Sequence, residues 1–131
     1  MKKKLLILLP VLLLAVGGVG AYAFVLPHKP APPLKLVGNV VALPGQFTLN
    51  LAGGHYATLS VALLLPATVK GGPADEPVIS SIVTNDVTGQ PMAALISARG
   101  RSILEHRIME NINGETNAVV TRVYFTNLAV Q

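Results

Sequence analysis

The sequence predicts an α+β protein, with a single-pass N-terminal transmembrane helix followed by a small antiparallel-sheet domain that carries helices on one face. Three observations predict it. Residues 5–26 form an uncharged run of 22 directly behind Lys2, Lys3 and Lys4. Residues 46–51 and 56–65 alternate apolar and polar side chains with the period of a strand. Leu104, Ile108 and Ile112 recur at every fourth position, as on a helix with one buried side.

The apolar run comes first in the chain and sets the compartment of the rest. At about 1.5 Å of rise per residue it reaches about 33 Å, enough for a hydrocarbon core of about 30 Å. Lysines flank its N-terminal side, so residues 1–4 are expected in the cytoplasm and everything after the run outside it. Tyr22 and Phe24 fall where aromatic rings meet the outer headgroups, and Pro10 near the inner end disturbs few backbone bonds. A second reading takes the same residues as a signal peptide cleaved after Ala23, because Ala21-Tyr22-Ala23 has the form of a processing site. Against it, the run continues through Phe24, Val25 and Leu26, and its length suits an anchor better than a signal core.

The formal charge of +4 and pI near 9.7 suggest a nucleic-acid binder until the charges are placed. From Asn39 onward five basic side chains face six acidic ones, a net of −1, so the basicity belongs to the tail and linker. A nucleic-acid interface needs a basic patch on the folded part, and that function is excluded on charge. There are no cysteines, so packing or association must supply what disulfides otherwise would.

Pro27, Pro30, Pro32 and Pro33 make residues 27–38 a Pro-rich linker of extended, polyproline-like backbone that spaces a domain at 39–131 from the bilayer. In that domain residues 36–43 predict an edge strand. The strands at 46–51 and 56–65 are joined through Gly53 and Gly54, which suit a tight antiparallel connection. Residues 66–77 read as a loop, and Pro77 opens a short helix to about Asp86, with Val78, Ile79, Ile82 and Val83 on one side. Gly89 and Pro91 end it. Ser97 caps a longer helix, on whose flank Arg101 and Glu105, and His106 and Glu110, are spaced to pair. Asn113-Gly114 offers a stop. Residues 118–130 are β-branched and aromatic with apolar side chains on both parities, which predicts a central strand covered on both faces or one carrying a bulge.

Groups for chemistry are sparse. His28, His55 and His106 lie in linker, turn and helix without metal-ligand spacing, and the adjacent acids Asp75 and Glu76 sit where they stabilise a helix start. No nucleophile elbow, phosphate loop or dinucleotide fingerprint occurs, so the expectation is a protein that is not an enzyme and takes no cofactor or metal.

In order along the chain stand the Lys-tipped anchor, Phe47-x-x-Asn50-Leu51, Tyr56-x-x-Leu59-x-Val61, Gly100-Arg101-x-x-Leu104, Ile112-Asn113, and Val123-Tyr124-Phe125-Thr126 with a terminal Gln131. In this ordered set the chain resembles the FliL family of flagellar basal body-associated membrane proteins. The resemblance implies a single-pass protein of the bacterial inner membrane with a periplasmic domain similar to the stomatin-type (SPFH-like) fold. It further implies a homo-oligomeric ring, association with the stator units of the flagellar motor, and a part in motility. Two departures stand out: Leu63-Leu64-Leu65, where relatives often place an acidic residue, and a shorter linker. Arg99, Arg101 and Arg107, with Tyr124 and Phe125, are the candidate interaction residues, the two aromatics being expected mainly in the core.

Overall fold

The computed structural model describes Ala31 and residues 35–131. The expected membrane helix and most of the Pro-rich linker lie outside the described residues. Among those described, no helix is long and apolar enough to cross a membrane.

Four strands and three helices make up the unit Leu36–Gln131. Strands β1 (Asn39–Ala42) and β2 (Phe47–Asn50) precede a long β3 (Tyr56–Leu65), and β4 (Arg122–Val130) comes last. Between β3 and β4 run helices α1 (Glu76–Val87), α2 (Met92–Ile96) and α3 (Ala98–Glu115). Every strand pairing is antiparallel, as the sequence predicts.

The centre of the sheet is β3. β1 pairs with its far half, Asn39 opposite Leu65, and β2 with its near half, Asn50 opposite Tyr56. β4 runs along β3 from Ala57 to Leu64, which leaves β1 and β2 to share the other side end to end. This corrects the expectation of a central final strand: among the described residues β4 pairs with β3 alone. The bulge alternative holds instead. The register shifts between Thr58 and Ser60, and Asn127 adopts a positive φ of 51°. Two residues of β4, Asn127 and Leu128, then oppose Leu59 alone. Before the bulge Val123 and Phe125 face the core, and after it Leu128 and Val130 do, which accounts for the apolar residues on both parities.

The core lies between one face of the sheet and the helices. Ala57, Leu59, Val61, Leu63 and Leu65 of β3 point into it, joined by Ile79, Ile82, Val83 and Val87 of α1, Leu95 of α2, and Leu104, Ile108 and Ile112 of α3. No polar or charged side chain among the described residues is buried with them. In α1 the inward stripe omits Val78, which is 46% exposed, and takes Val87 in its place. The helix-free face carries Thr48, Thr58, Ser60 and Thr126 toward one end and Val40, Ala62, Leu64 and Tyr124 toward the other.

Local chemistry explains the boundaries. A single 3₁₀ turn, Ala52–Gly54, connects β2 to β3, with Gly53 and Gly54 at φ 75° and 79° as the tight connection requires. Pro77 stands in the first turn of α1, and Thr88, whose N–H donates to the Thr84 carbonyl, closes the helix. Helix α3 runs through Gly114 to Glu115, past the expected stop, and Thr116 caps it with both its N–H and its hydroxyl on the Ile112 carbonyl. Helix α2, too short for a periodic signal, is not foreseen in the sequence.

Candidate interaction surface

The junction of α2 and α3 positions the first group of candidate residues. Ser97 caps α3 by accepting from the Gly100 N–H at 3.0 Å while its hydroxyl donates to the Ala93 carbonyl at 2.8 Å. Gly100 permits the close crossing, since a Cβ there would lie 2.6 Å from the Ala94 carbonyl oxygen. Arg101 then reaches back, its Nη1 donating to the carbonyls of Leu95 and Ile96 at 2.9 and 3.0 Å. Those carbonyls end α2 and have no partner within their own helix. The Gly100-Arg101-x-x-Leu104 pattern is therefore a folding device: close approach, cap and core anchor in succession.

The expected pair between Arg101 and Glu105 does not form. Glu105 turns to the sheet, where its Oε1 accepts from the Phe125 backbone N–H at 2.9 Å. That N–H points away from β3, along the open side of β4, so a carboxylate from α3 occupies a sheet edge that another strand could otherwise join. The His106–Glu110 pair does form, at 3.4 Å, but both side chains are 65% exposed and it contributes little.

Asn113 fastens the other end of α3. Its amide donates to the Val120 carbonyl and accepts from the Val120 N–H, each at 2.8 Å, so one side chain stands in for a strand partner just before β4. Asn111 bonds both carboxylate oxygens of Asp86 and ties α3 to α1. Gln131 closes the sheet through a reciprocal backbone pair with Tyr56, at 2.9 Å each way, and a bond from the Tyr56 hydroxyl to its side chain. Sequence reasoning missed Asn113 and Glu105 as structural residues, since nothing in helical spacing reveals a partner in a distant strand.

The five candidate residues do not converge. Arg99 and Arg107 are exposed on the outer side of α3, with exposed Ile103 between them at helical spacing. Arg101 is half-buried and engaged by α2. Tyr124 and Phe125, adjacent in a strand, point to opposite faces. Phe125 packs against the core, whereas Tyr124 lies on the helix-free face with the Arg122 guanidinium 5.3 Å from its ring centre.

A cleft of about 250 Å³ separates α3 from the start of β4, lined by Ser102, Glu105, His106, Met109, Thr121, Arg122 and Val123. Its one carboxylate is committed to Phe125, and its histidine is 65% exposed, 3.4 Å from Glu110. Among the described residues no three His, Cys, Asp or Glu side chains come together as metal ligands would. The outward side chains of α3 are the stripe Arg99, Ile103 and Arg107, while on the helix-free sheet face Ala62 and Leu64 are buried.

No curated protein matches the chain significantly. The family profile described as flagellar basal body-associated protein FliL matches residues 40–131, from the second residue of β1 to Gln131. Each ordered motif noted in that span has a place in the fold: Leu51, Leu59, Val61 and Val123 in the core, Gly100 and Arg101 at the helix junction, Asn113 at the entry to β4, Gln131 against Tyr56. The chain belongs to the FliL family of flagellar basal body-associated proteins.

Proposed function

We propose that this protein is a non-enzymatic accessory of the flagellar motor that associates with the stator units at the basal body and stabilises them, supporting swimming or swarming motility. Family membership across the whole sheet-and-helix domain is the observation that carries the reading. In it, residues 5–26 cross the inner membrane once with the N-terminus in the cytoplasm, and the domain stands in the periplasm. The domain is of the stomatin-like type and assembles as a homo-oligomeric ring, a collar that steadies a neighbouring membrane complex under load. Confinement to a membrane raises the effective concentration of the copies and favours such assembly.

The chemistry of the domain supports a mechanical role. Its conspicuous polar side chains are spent within the fold: Arg101 on α2, Glu105 on β4, Asn113 on Val120, and Asp86 on Asn111. Arg99 and Arg107, left outward with Ile103, are the interaction residues of this reading, while Arg101 and the Phe125 N–H hold α3 in place and Tyr124 lies on the opposite, helix-free face. Deleting the gene and following motility as viscosity rises tests the proposal. Torque and stator residence should fall under load, and unchanged motility with unchanged stator residence would refute it. The Ala21-Tyr22-Ala23 sequence favours one alternative, release of the domain by cleavage after Ala23. Mass spectrometry of the native N-terminus separates the two, since retention of Lys2–Lys4 means an anchor.

A further inference from the structure

The end of the domain at which the chain enters is also its apolar end. Asn39, the first residue of β1, sits opposite Leu65, the last of β3, and Thr121, just before β4, donates its N–H to the Leu64 carbonyl at 2.8 Å. Helix α1 begins there too, because Asp75 at its N-terminus accepts from the Asn117 N–H at 3.3 Å. Of the eight large apolar side chains exposed among the described residues, five cluster at this end: Leu36, Val37, Val40, Val78 and Val119. Val37 is 81% exposed and Val119 is 58% exposed. Beside Val119 opens a cleft of about 210 Å³ whose walls include Leu65, Val69, Pro73 and Ala118, with Asp75 and Asn117 at its polar side. At the opposite end lie His55, Asn50, Gln90 and Gln131 around the Tyr56 pair.

We propose that this apolar end is a lipid-docking surface, seated in the headgroup region of the bilayer. The inference rests on the reading of residues 5–26 as an anchor. As polyproline-like backbone the linker from Leu26 to Lys35 reaches about 28 Å, at about 3.1 Å per residue, and it joins the domain at this end and no other. A tether of that length keeps the surface at high effective concentration against the membrane, so weak affinity suffices. Lys35, Lys70 and Arg122 are balanced there by Asp75, Glu76 and Glu115, which makes insertion apolar in character and largely indifferent to anionic lipid. Docking would hold β3 and its neighbours at a defined height and tilt, which a linker alone does not fix.

The chain has no cysteine, so single-cysteine labelling is clean. The full-length variants V16C, V37C, V119C and T48C would carry an environment-sensitive nitrobenzoxadiazole label in nanodiscs of phosphatidylcholine, with and without phosphatidylglycerol. Spin-labelled lipids are the quenchers, with the doxyl group near the headgroups for positions 37, 48 and 119 and near the acyl-chain ends for position 16, which the anchor reading puts about 15 Å from either headgroup layer. Thr48 is the control, because it pairs with Thr58, seven residues along β3 from Leu65 and so about 23 Å from the apolar end. The expected result is a blue shift and quenching at positions 37 and 119, little at 48, and loss of quenching at 37 when V119D is added. Quenching at 16 with none above the control at 37 and 119 overturns docking and leaves the anchor standing. No quenching at 16 overturns the anchor reading, and docking with it. A blue shift at 119 without lipid quenching means a protein contact, a second copy or another partner, and also overturns the proposal.

Discussion

Substituting Gly100 by Ala should destabilise the domain, while the same change at Gly114, later in the same helix, should stabilise it. Helix propensity alone favours Ala over Gly by about 1 kcal/mol at both positions. At Gly114 a Cβ meets nothing within 4 Å, so G114A should gain about 0.5–1 kcal/mol. At Gly100 the added Cβ would lie 2.6 Å from the Ala94 carbonyl oxygen, 2.6 Å from the Ser97 hydroxyl and 2.8 Å from the Ala94 Cα. Two of these are backbone atoms of α2, so relief requires α2 to move off α3, and overpacking of this kind costs about 1–3 kcal/mol. Displacing the Ser97 hydroxyl also weakens the cap on the Gly100 N–H, worth about 1 kcal/mol. After the propensity gain, G100A should lose about 1–3 kcal/mol net, a fall in Tm of about 5–15 °C for a domain of this size. Urea denaturation of residues 36–131, followed by circular dichroism, measures both variants, and the denaturant slope should stay unchanged. A midpoint for G100A raised as far as that of G114A would refute the close crossing of α2 and α3.

Four further outcomes follow from the same geometry. N113A removes both bonds to Val120 and should cost about 2 kcal/mol in denaturation. N113D should cost at least as much, since it keeps an acceptor for the Val120 N–H but sets an oxygen against the Val120 carbonyl. R101M should lower stability by about 1 kcal/mol and speed hydrogen exchange at the end of α2, because two carbonyls lose their donor. R99A and R107A should leave stability within about 0.5 kcal/mol while weakening co-purification with stator proteins. N127V should cost about 1–2 kcal/mol through the positive φ at the bulge, and N127G should be nearly neutral, both read from thermal unfolding.

The sheet was legible where one face is buried and the register unbroken. In β3 the odd positions from Ala57 to Leu65 face the core, and alternation marked them directly, as the four-residue recurrence of Leu104, Ile108 and Ile112 marked α3. The role of β4 was not legible, because apolar content reports burial and is silent on how many strands lie alongside. A bulge at Asn127 moves the inward set from odd to even positions, and in sequence that looks the same as two covered faces. Val78 misled for a related reason: β-branched neighbours in a row give a helix no clean stripe. At the candidate surface, spacing within α3 suggested that Arg101 pairs with Glu105, yet each has a partner from another element, α2 for one and β4 for the other. Such long-range competition for a side chain leaves no local trace. Arg99 and Arg107 stayed outward, as residues with no competing partner nearby do.

The central claim, a chemically inert domain held beside the stator, is tested most directly by crosslinking in swimming cells. A photoactivatable residue placed at Arg99 or Arg107 in the full chain would capture its neighbour, identified by mass spectrometry. The account predicts a flagellar stator subunit among the captured proteins, together with further copies of this chain. Capture that never includes a stator subunit, at either position and with the protein present at the basal body, would contradict it.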